Sequence, residues 1–218
     1  MLGSSSSWEE AYRSVESLWG LKPDRTLMEY AKIVPEGVVL DLGIGEGRNA
    51  LFFAKMAYEV EGVDISQTAI ERCLQRAETQ NLKVKAEVKD LKEMGIAHGK
   101  YSLIIAAWVL NFLRKAEAEK IVDKIKNGLK KDGLVYVGIF SPSDPGCQRA
   151  KETLREVEEN TFYSEKRNSF IHYFTRDEIV SLFNGFKITY FVEGTGLDIE
   201  HGEPHYHGLI EYMGQKVV

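Results

Sequence analysis

The stretch Asp41-Leu42-Gly43-Ile44-Gly45-Glu46-Gly47-Arg48-Asn49 constrains this chain most, because it joins a strand pattern directly to a helix pattern. Val38 to Leu42 is a short apolar run that reads as a buried strand, and the segment from Arg48 to about Met56 places Ala50, Phe53 and Ala54 at helical spacing. Three alternate glycines allow a tight turn and let a ligand approach the backbone amides without Cβ interference. The loop is therefore a binding loop inside a βα unit.

The same rhythm continues down the chain. Glu59 to Asp64 reads as a second strand. Ser66 or Thr68 can cap the helix that follows, whose apolar stripe is Ala69, Ile70, Cys73, Leu74 and Ala77. Lys83 to Val88 alternates as a third strand, and Tyr101 to Val109 is the continuous apolar run of a central parallel strand. A charged amphipathic helix, about Lys115 to Leu129, leads through Lys131-Asp132-Gly133 into a fifth strand, Leu134 to Phe140. Ser141 to Phe174 then breaks the alternation and reads as an insertion, with a helix-like charged stretch around Arg149 to Glu159. Thr175 and Glu178 form a capping box for the next helix. Phe186 to Glu193 and about Tyr206 to Met213 read as a closing antiparallel pair joined by Gly194 to Pro204. The expected class is α/β, a Rossmann-like doubly wound sheet.

Length and charge narrow the function. The 218 residues suit one domain with appendages, and 28 basic against 33 acidic side chains leave a net charge of −5. That sign gives a phosphate backbone no attractive field, so nucleic acid is not expected as a partner. Cys73 and Cys147 are the only cysteines and form no ligand-like cluster, which argues against a disulfide framework or a zinc ribbon. Met1 to Ser7 resembles no targeting segment. The longest apolar run, Leu103 to Leu113, is interrupted by Asn111 and is short of the roughly 18–20 residues that span a bilayer. A cytoplasmic location away from membranes is expected.

The glycine loop is not a dinucleotide fingerprint, because Arg48 stands at the sixth motif position where glycine or alanine is needed, and no P-loop Gly-Lys-Ser/Thr follows. Asp41 lies two residues before the first glycine, where it would repel a pyrophosphate and attract an ammonium. Asp64 ends the second strand, where doubly wound folds present a carboxylate to ribose hydroxyls. Asp90, followed by Leu91, ends the third strand region. A ligand with an ammonium, a ribose and an aminopurine satisfies all three carboxylates, and S-adenosylmethionine is such a molecule.

On these residues the chain resembles a class I S-adenosylmethionine-dependent methyltransferase of the tellurite-resistance TehB-like branch. The resemblance also draws on Trp8-Glu9-Glu10-Ala11-Tyr12, Trp19-Gly20, Gly62-Val63-Asp64-Ile65-Ser66, Lys89-Asp90-Leu91 and Val109-Leu110-Asn111-Phe112-Leu113. Ile44 departs from the cysteine that the family often carries. The resemblance implies sheet order 3-2-1-4-5-7-6 with strand 7 antiparallel. It also implies that Asp41, Gly43, Gly45 and Asn49 hold the methionine end, Asp64 the ribose, Ile65 and Leu91 the adenine faces, and Asp90 the exocyclic amine. Ala107 and Trp108 would line the methyl-facing side. Residues 1–30 would form a lid carrying Trp8, Tyr12 and Trp19 onto the methyltransferase domain, residues 31–218, with 141–174 as a substrate-side insertion.

Methyl transfer from a sulfonium asks the protein mainly for alignment and exclusion of water. Tyr12, His205 and His207 are the candidate catalytic residues. Within His201-Gly-Glu-Pro-His205-Tyr-His207, the last two histidines share a strand face with Leu209. A proton-accepting or acceptor-lining role, a structural pair and a metal site all fit that pattern, and no metal is expected from it. His172 is a further candidate contact, whereas His98 lies in a polar loop. No Asn/Asp-Pro-Pro-Tyr/Phe block follows the fourth strand, so a small-molecule acceptor is expected rather than a nucleobase. The family name points to an oxyanion of tellurium or selenium. A non-catalytic nucleoside sensor and a nicotinamide-dependent oxidoreductase are the alternatives, and Arg48 and Asp41 disfavour the second.

Overall fold

The structure is a computed structural model that describes residues 5–165, 168–199 and 203–217. Its frame is a seven-stranded sheet built from β1 (Val38–Leu42), β2 (Glu59–Asp64), β3 (Val84–Val88), β4 (Tyr101–Ala107), β5 (Leu129–Phe140), β9 (Phe186–Asp198) and β10 (His205–Lys216). The order across the sheet is β3-β2-β1-β4-β5-β10-β9, with β10 antiparallel to both neighbours. This is the expected 3-2-1-4-5-7-6 arrangement.

Period-two alternation explains how one sheet serves two cores. Leu40, Leu42, Ile104, Ala106, Val135, Val137 and Ile139 face α5 (Lys115–Gly128) and α7 (Arg176–Leu182). Their neighbours Val39, Leu103, Ile105, Leu134 and Tyr136 face α2 (Arg25–Tyr30), α3 (Arg48–Lys55) and α4 (Gln67–Thr79). Asp41 alternates onto the second face and is buried there, at the end of β1 where α3 begins. Ser66 caps α4 by accepting from Ala69 N, and Thr175 with Glu178 forms the expected box on α7.

Two regions differ from the sequence reading. The closing strands are longer than expected, because pairing continues through Gly194↔Leu209, Gly196↔His207 and Asp198↔His205. Gly194 and Gly196 read as loop residues, yet each fills a ladder position; a Cβ on Gly196 would lie 3.0 Å from Leu209 Cδ2.

The insertion is also not one long helix. Helix α6 (Pro145–Thr153) stops before Leu154, and Arg155–Glu158 becomes β6, followed by β7 (Thr161–Ser164) and β8 (Ser169–His172) in a separate antiparallel sheet. Asn160, at φ +53°, turns the β6–β7 hairpin, a conformation asparagine accepts more readily than most residues. Phe162, Ile171 and Tyr173 close a small core with Cys147 and Ala150 of α6. That burial overrides the helical composition of the stretch.

Asn111, the polar interruption in the apolar run, is fully buried and clamps this subdomain to the sheet. Its Nδ2 donates to the carbonyls of Phe140 (3.2 Å) and His172 (2.6 Å), and its Oδ1 accepts from Phe140 N at 3.0 Å. At the N-terminus, α1 (Ser5–Ser14) lies against α4, whereas Leu27 and Ala31 belong to the main core. Among the described residues, no helix is long and apolar enough to cross a membrane.

Candidate active site

The glycine loop has no room for side chains. Gly43, Gly45 and Gly47 have φ of +71°, +53° and +88°. A Cβ on Gly43 would fall 2.8 Å from Val109, and one on Gly45 would fall 2.7 Å from the Tyr12 hydroxyl. The amides of Gly43 and Ile44 both donate to Val63 O at 2.9 Å, which ties the loop to the end of β2. Glycine is therefore required by backbone conformation and by close approach together.

The three expected carboxylates gather along the carboxyl ends of β1, β2 and β3, and all line one cavity of about 1030 Å³. Asp41 is buried, and its carboxyl is pushed up to about 8 by burial first and by nearby Asp24 second, against the opposing pull of Arg48. A cationic ligand group beside it would restore ionisation. Asp64 is also driven upward by burial, but its oxygens accept from Gly45 N and Ser66 N, each at 2.9 Å, and these bonds favour the anion. Asp90 is half-buried, accepts from Lys92 N at 2.9 Å and lies 3.5 Å from Lys92 Nζ. Ile65, Leu91, Ala107, Trp108, Trp19 and Asn49 line the same cavity. A buried acid that needs a cation, a cramped glycine cradle and carboxylates at successive strand ends fit the chemistry of S-adenosylmethionine.

Charged groups that the sequence reading did not assign fasten the cover over this cavity. Glu46, buried within the glycine loop, accepts from Ser17 Oγ and Leu18 N at 3.0 and 2.9 Å and pairs with Arg72 and Arg76 at 3.2 and 3.4 Å. Glu9 accepts from Ser66 Oγ (2.6 Å) and Thr68 Oγ1 (2.7 Å) at the amino end of α4; these bonds lower its carboxyl to about 2. Asp24 accepts from Arg48 Nη2 (3.0 Å), Asn49 Nδ2 (2.9 Å) and Trp108 Nε1 (3.4 Å), and its own amide donates to Asn49 Oδ1 at 2.9 Å. Both ends of the Asn49 amide are thus engaged with Asp24. Tyr12 is buried, and burial followed by the charges of Asp64 and Glu46 raises its hydroxyl well above the ordinary range, so it stays protonated.

The far end of the cavity is aromatic and imidazole-lined. Trp108 has φ +60°, an uncommon conformation for a bulky residue, and its ring lies against Gly138 and 5.4 Å from Phe140. His205 and His207 both face this chamber, with Nε2 atoms 2.9 Å apart. His207 Nδ1 lies 2.8 Å from Asp144 Oδ2, and His205 Nδ1 lies 2.7 Å from the Glu203 carbonyl. Asp144, the cap of α6, was not singled out by the sequence reading, which began the helical stretch near Arg149. His201 lies outside the described residues. His172 does not reach the chamber: it is fully buried, with Nδ1 2.7 Å from Thr161 Oγ1 and Nε2 3.6 Å from Glu178. Its neighbours Ile171 and Tyr173 line the cavity instead, while His98 is exposed as expected.

Comparison with known proteins agrees with this geometry. A family model described as a methyltransferase domain matches residues 39–133. The probable S-adenosyl-L-methionine-dependent methyltransferase TehB of Haemophilus influenzae is 28% identical over 122 residues, covering 56% of this chain and 42% of that protein. Its crystal structure aligns with a TM-score of 0.71 at 19% identity, over 88% of this chain and 62% of that one. An uncharacterized protein of Rickettsia prowazekii is 31% identical over 163 residues, which is 72% of this chain and 59% of that protein. The fold also matches 1,6-didemethyltoxoflavin-N1-methyltransferase of Burkholderia thailandensis, solved with 1,6-didemethyltoxoflavin and S-adenosylhomocysteine bound. There the TM-score is 0.73 and the identity 16%, over 98% of this chain and 87% of that one. The chain thus spans less than half the length of the TehB sequence it matches.

Proposed function

We propose that this chain transfers the methyl group of S-adenosylmethionine, by in-line displacement, to a small-molecule acceptor held between Trp108, Phe140 and the histidine pair. The observation that carries the reading is the row of Asp41, Asp64 and Asp90 at three successive strand ends, around a glycine cradle and inside one covered cavity. S-adenosylmethionine, when bound, supplies an activated methyl group on a sulfonium.

The chain's own residues bind, orient and exclude water. Asp41 receives the ammonium, and the backbone of Gly43 and Gly45 accommodates the methionine end. Asp64, held by two amide donors, keeps its remaining lone pairs for the ribose hydroxyls. Ile65 and Leu91 flank the adenine and Asp90 accepts from its amine. Ala107 and Trp108 face the methyl group. Asn49 acts as a positioning residue by holding Asp24, and Trp19 with Tyr12 roofs the cavity. A protonated Tyr12 orients and covers; it does not take a proton.

The enclosure favours a small acceptor, since the hairpin β9–β10, α6 and the N-terminal segment all contribute walls. The Burkholderia relative in fold, whose structure holds a small heterocycle beside S-adenosylhomocysteine, supports the same class of acceptor. Calorimetric titration with S-adenosylmethionine, S-adenosylhomocysteine and NAD tests the cofactor reading. Binding of the first two and its loss in Asp64→Ala are expected; binding of NAD alone would overturn it. Transfer is then measured with labelled cofactor against tellurite, selenite, thiols and small amines. Absence of transfer to any acceptor in a chain that binds cofactor would favour the sensor reading.

A further inference from the structure

The imidazole pair is anchored from outside through both Nδ1 atoms. The Glu203 carbonyl can only accept, so the Nδ1 of His205, 2.7 Å away, carries a hydrogen. Asp144 already accepts from Gly146 N through Oδ1 and from Gly208 N through Oδ2, so the Nδ1 of His207, 2.8 Å from Oδ2, is a donor as well. The Nε2 atoms of the two rings, on the side away from these partners, converge to 2.9 Å. Two imidazoles held this way can share a cation between their Nε2 atoms, a proton or a metal ion.

We propose that Asp198, His205 and His207 form a binding site for a first-row divalent cation of the zinc type at the acceptor end of the cavity. The β9–β10 ladder sets Asp198 opposite His205 and carries His207 on the same face, two residues along. Donor atoms of all three lie within 4.8 Å of one another, and Asp198 Oδ2 is 3.9 Å from His207 Nε2. Both Nδ1 hydrogens are held, one by a carboxylate and one by a backbone carbonyl, which is the outer-shell arrangement that metal-bound histidines almost always show. Two imidazoles and one carboxylate suit zinc and its neighbours, whereas magnesium and calcium prefer all-oxygen sets. Asp198, His205 and His207 all line the cavity, so an ion on them is within reach of a ligand from the acceptor side.

This departs from the expectation that no metal is bound, and the reason is topological. The His-x-His spacing alone offered two ligands, and the third comes from the opposite strand of a hairpin whose extent the glycines concealed. The placement beside an acceptor, though not the metal site itself, rests on the methyltransferase reading above. There the ion would take an anionic donor atom of the acceptor, the proton of its conjugate acid passing to solvent, and hold it facing the methyl group.

The test uses the full chain without a histidine tag, stripped with a chelator, then titrated with Zn²⁺ and separately with Co²⁺. One ion per chain and the visible absorption of four-coordinate Co²⁺ are expected. Affinity should fall by ~100-fold or more in His205→Ala and His207→Ala, and by roughly 10–100-fold in Asp144→Asn, which removes only an outer-shell partner. Asp198→Asn, at the hairpin end and away from the main core, guards against misfolding as the cause and should lose at least ~10-fold. Failure to bind Zn²⁺, or binding that survives loss of both histidines, would overturn the site; an imidazole proton shared between the rings in a chain that ignores Zn²⁺ would do the same. S-adenosylhomocysteine affinity is measured on the same samples. Retained cofactor binding without zinc sinks the metal site alone, and zinc binding without cofactor sinks the methyltransferase reading instead.

Discussion

The two ends of the cavity are built on opposite plans. At the cofactor end, one contiguous loop and three neighbouring strand ends supply the cradle, and backbone conformation sets its shape. At the acceptor end, Asp144 from the insertion, Asp198 from β9 and the histidines of β10 meet only through tertiary pairing. The first plan tolerates little change, because a glycine with positive φ that touches Tyr12 or Val109 has no substitute. The second is a set of side chains on exchangeable segments, which is how one fold serves many acceptors. On the function proposed above, the comparison assigns the class of reaction to the loop and the choice of acceptor to the hairpin and the insertion.

The largest expected effect comes from removing the cover common to both ends. Deleting residues 1–20 should abolish transfer while circular dichroism still reports a folded domain, because Tyr12 is the only fully buried side chain of α1. Unchanged turnover in that variant would erase the lid.

Next comes Asp41→Asn, which should separate binding from stability. The buried acid sits at about 8 in the fold against an ordinary 3.8, so the unfolded chain gives up its proton first. Stability of the ligand-free protein therefore falls as pH rises from about 4 through 8. Asn removes that penalty and should raise stability at pH 8 by at least ~1 kcal/mol, each pH unit being worth about 1.4 kcal/mol. Cofactor affinity should drop by ~100-fold or more as the ammonium partner disappears, a loss of about 3 kcal/mol typical of a charge-assisted contact. Thermal melts across pH, paired with calorimetry, check both signs.

A smaller effect is expected from Glu9, whose carboxyl is lowered to about 2 from 4.5. Its contribution to holding α1 is complete above pH 4.5 and is lost only as pH falls toward 2. Limited proteolysis between Ser14 and Asp24 should therefore remain slow at pH 5, and Glu9→Gln should speed it severalfold at every pH above 4.5.

The smallest effect on the site should come from His172→Ala. The variant should bind cofactor as before, since the ring contacts Thr161 and Glu178 rather than the cavity. It should cost ~2–3 kcal/mol of stability through the buried partners it strands. A change in acceptor preference with stability intact would return His172 to the chamber wall.

The first strands, the glycine loop and the three aspartates were legible because each is local: a strand, a turn and a carboxylate within a few residues; sheet order came from the family resemblance. Other parts required long-range pairing. Arg155 to Glu158 has a helical composition, and only β7 and the burial of Phe162 make it a strand. Gly194 and Gly196 look like breakers until Leu209 and His207 stand opposite them. Glu46 sits in the most informative stretch of the chain, yet its partners are 26 to 30 residues away, among them Arg72 and Arg76. Asp24 has no motif around it at all.

That last residue ties the two ends together. Asp24 holds the start of α3 through Arg48 and Asn49, and it touches the indole that walls off the acceptor chamber. One carboxylate is therefore common to the helix start beneath the glycine loop and to the indole at the far end of the cavity, so a substitution at Asp24 perturbs both ends together.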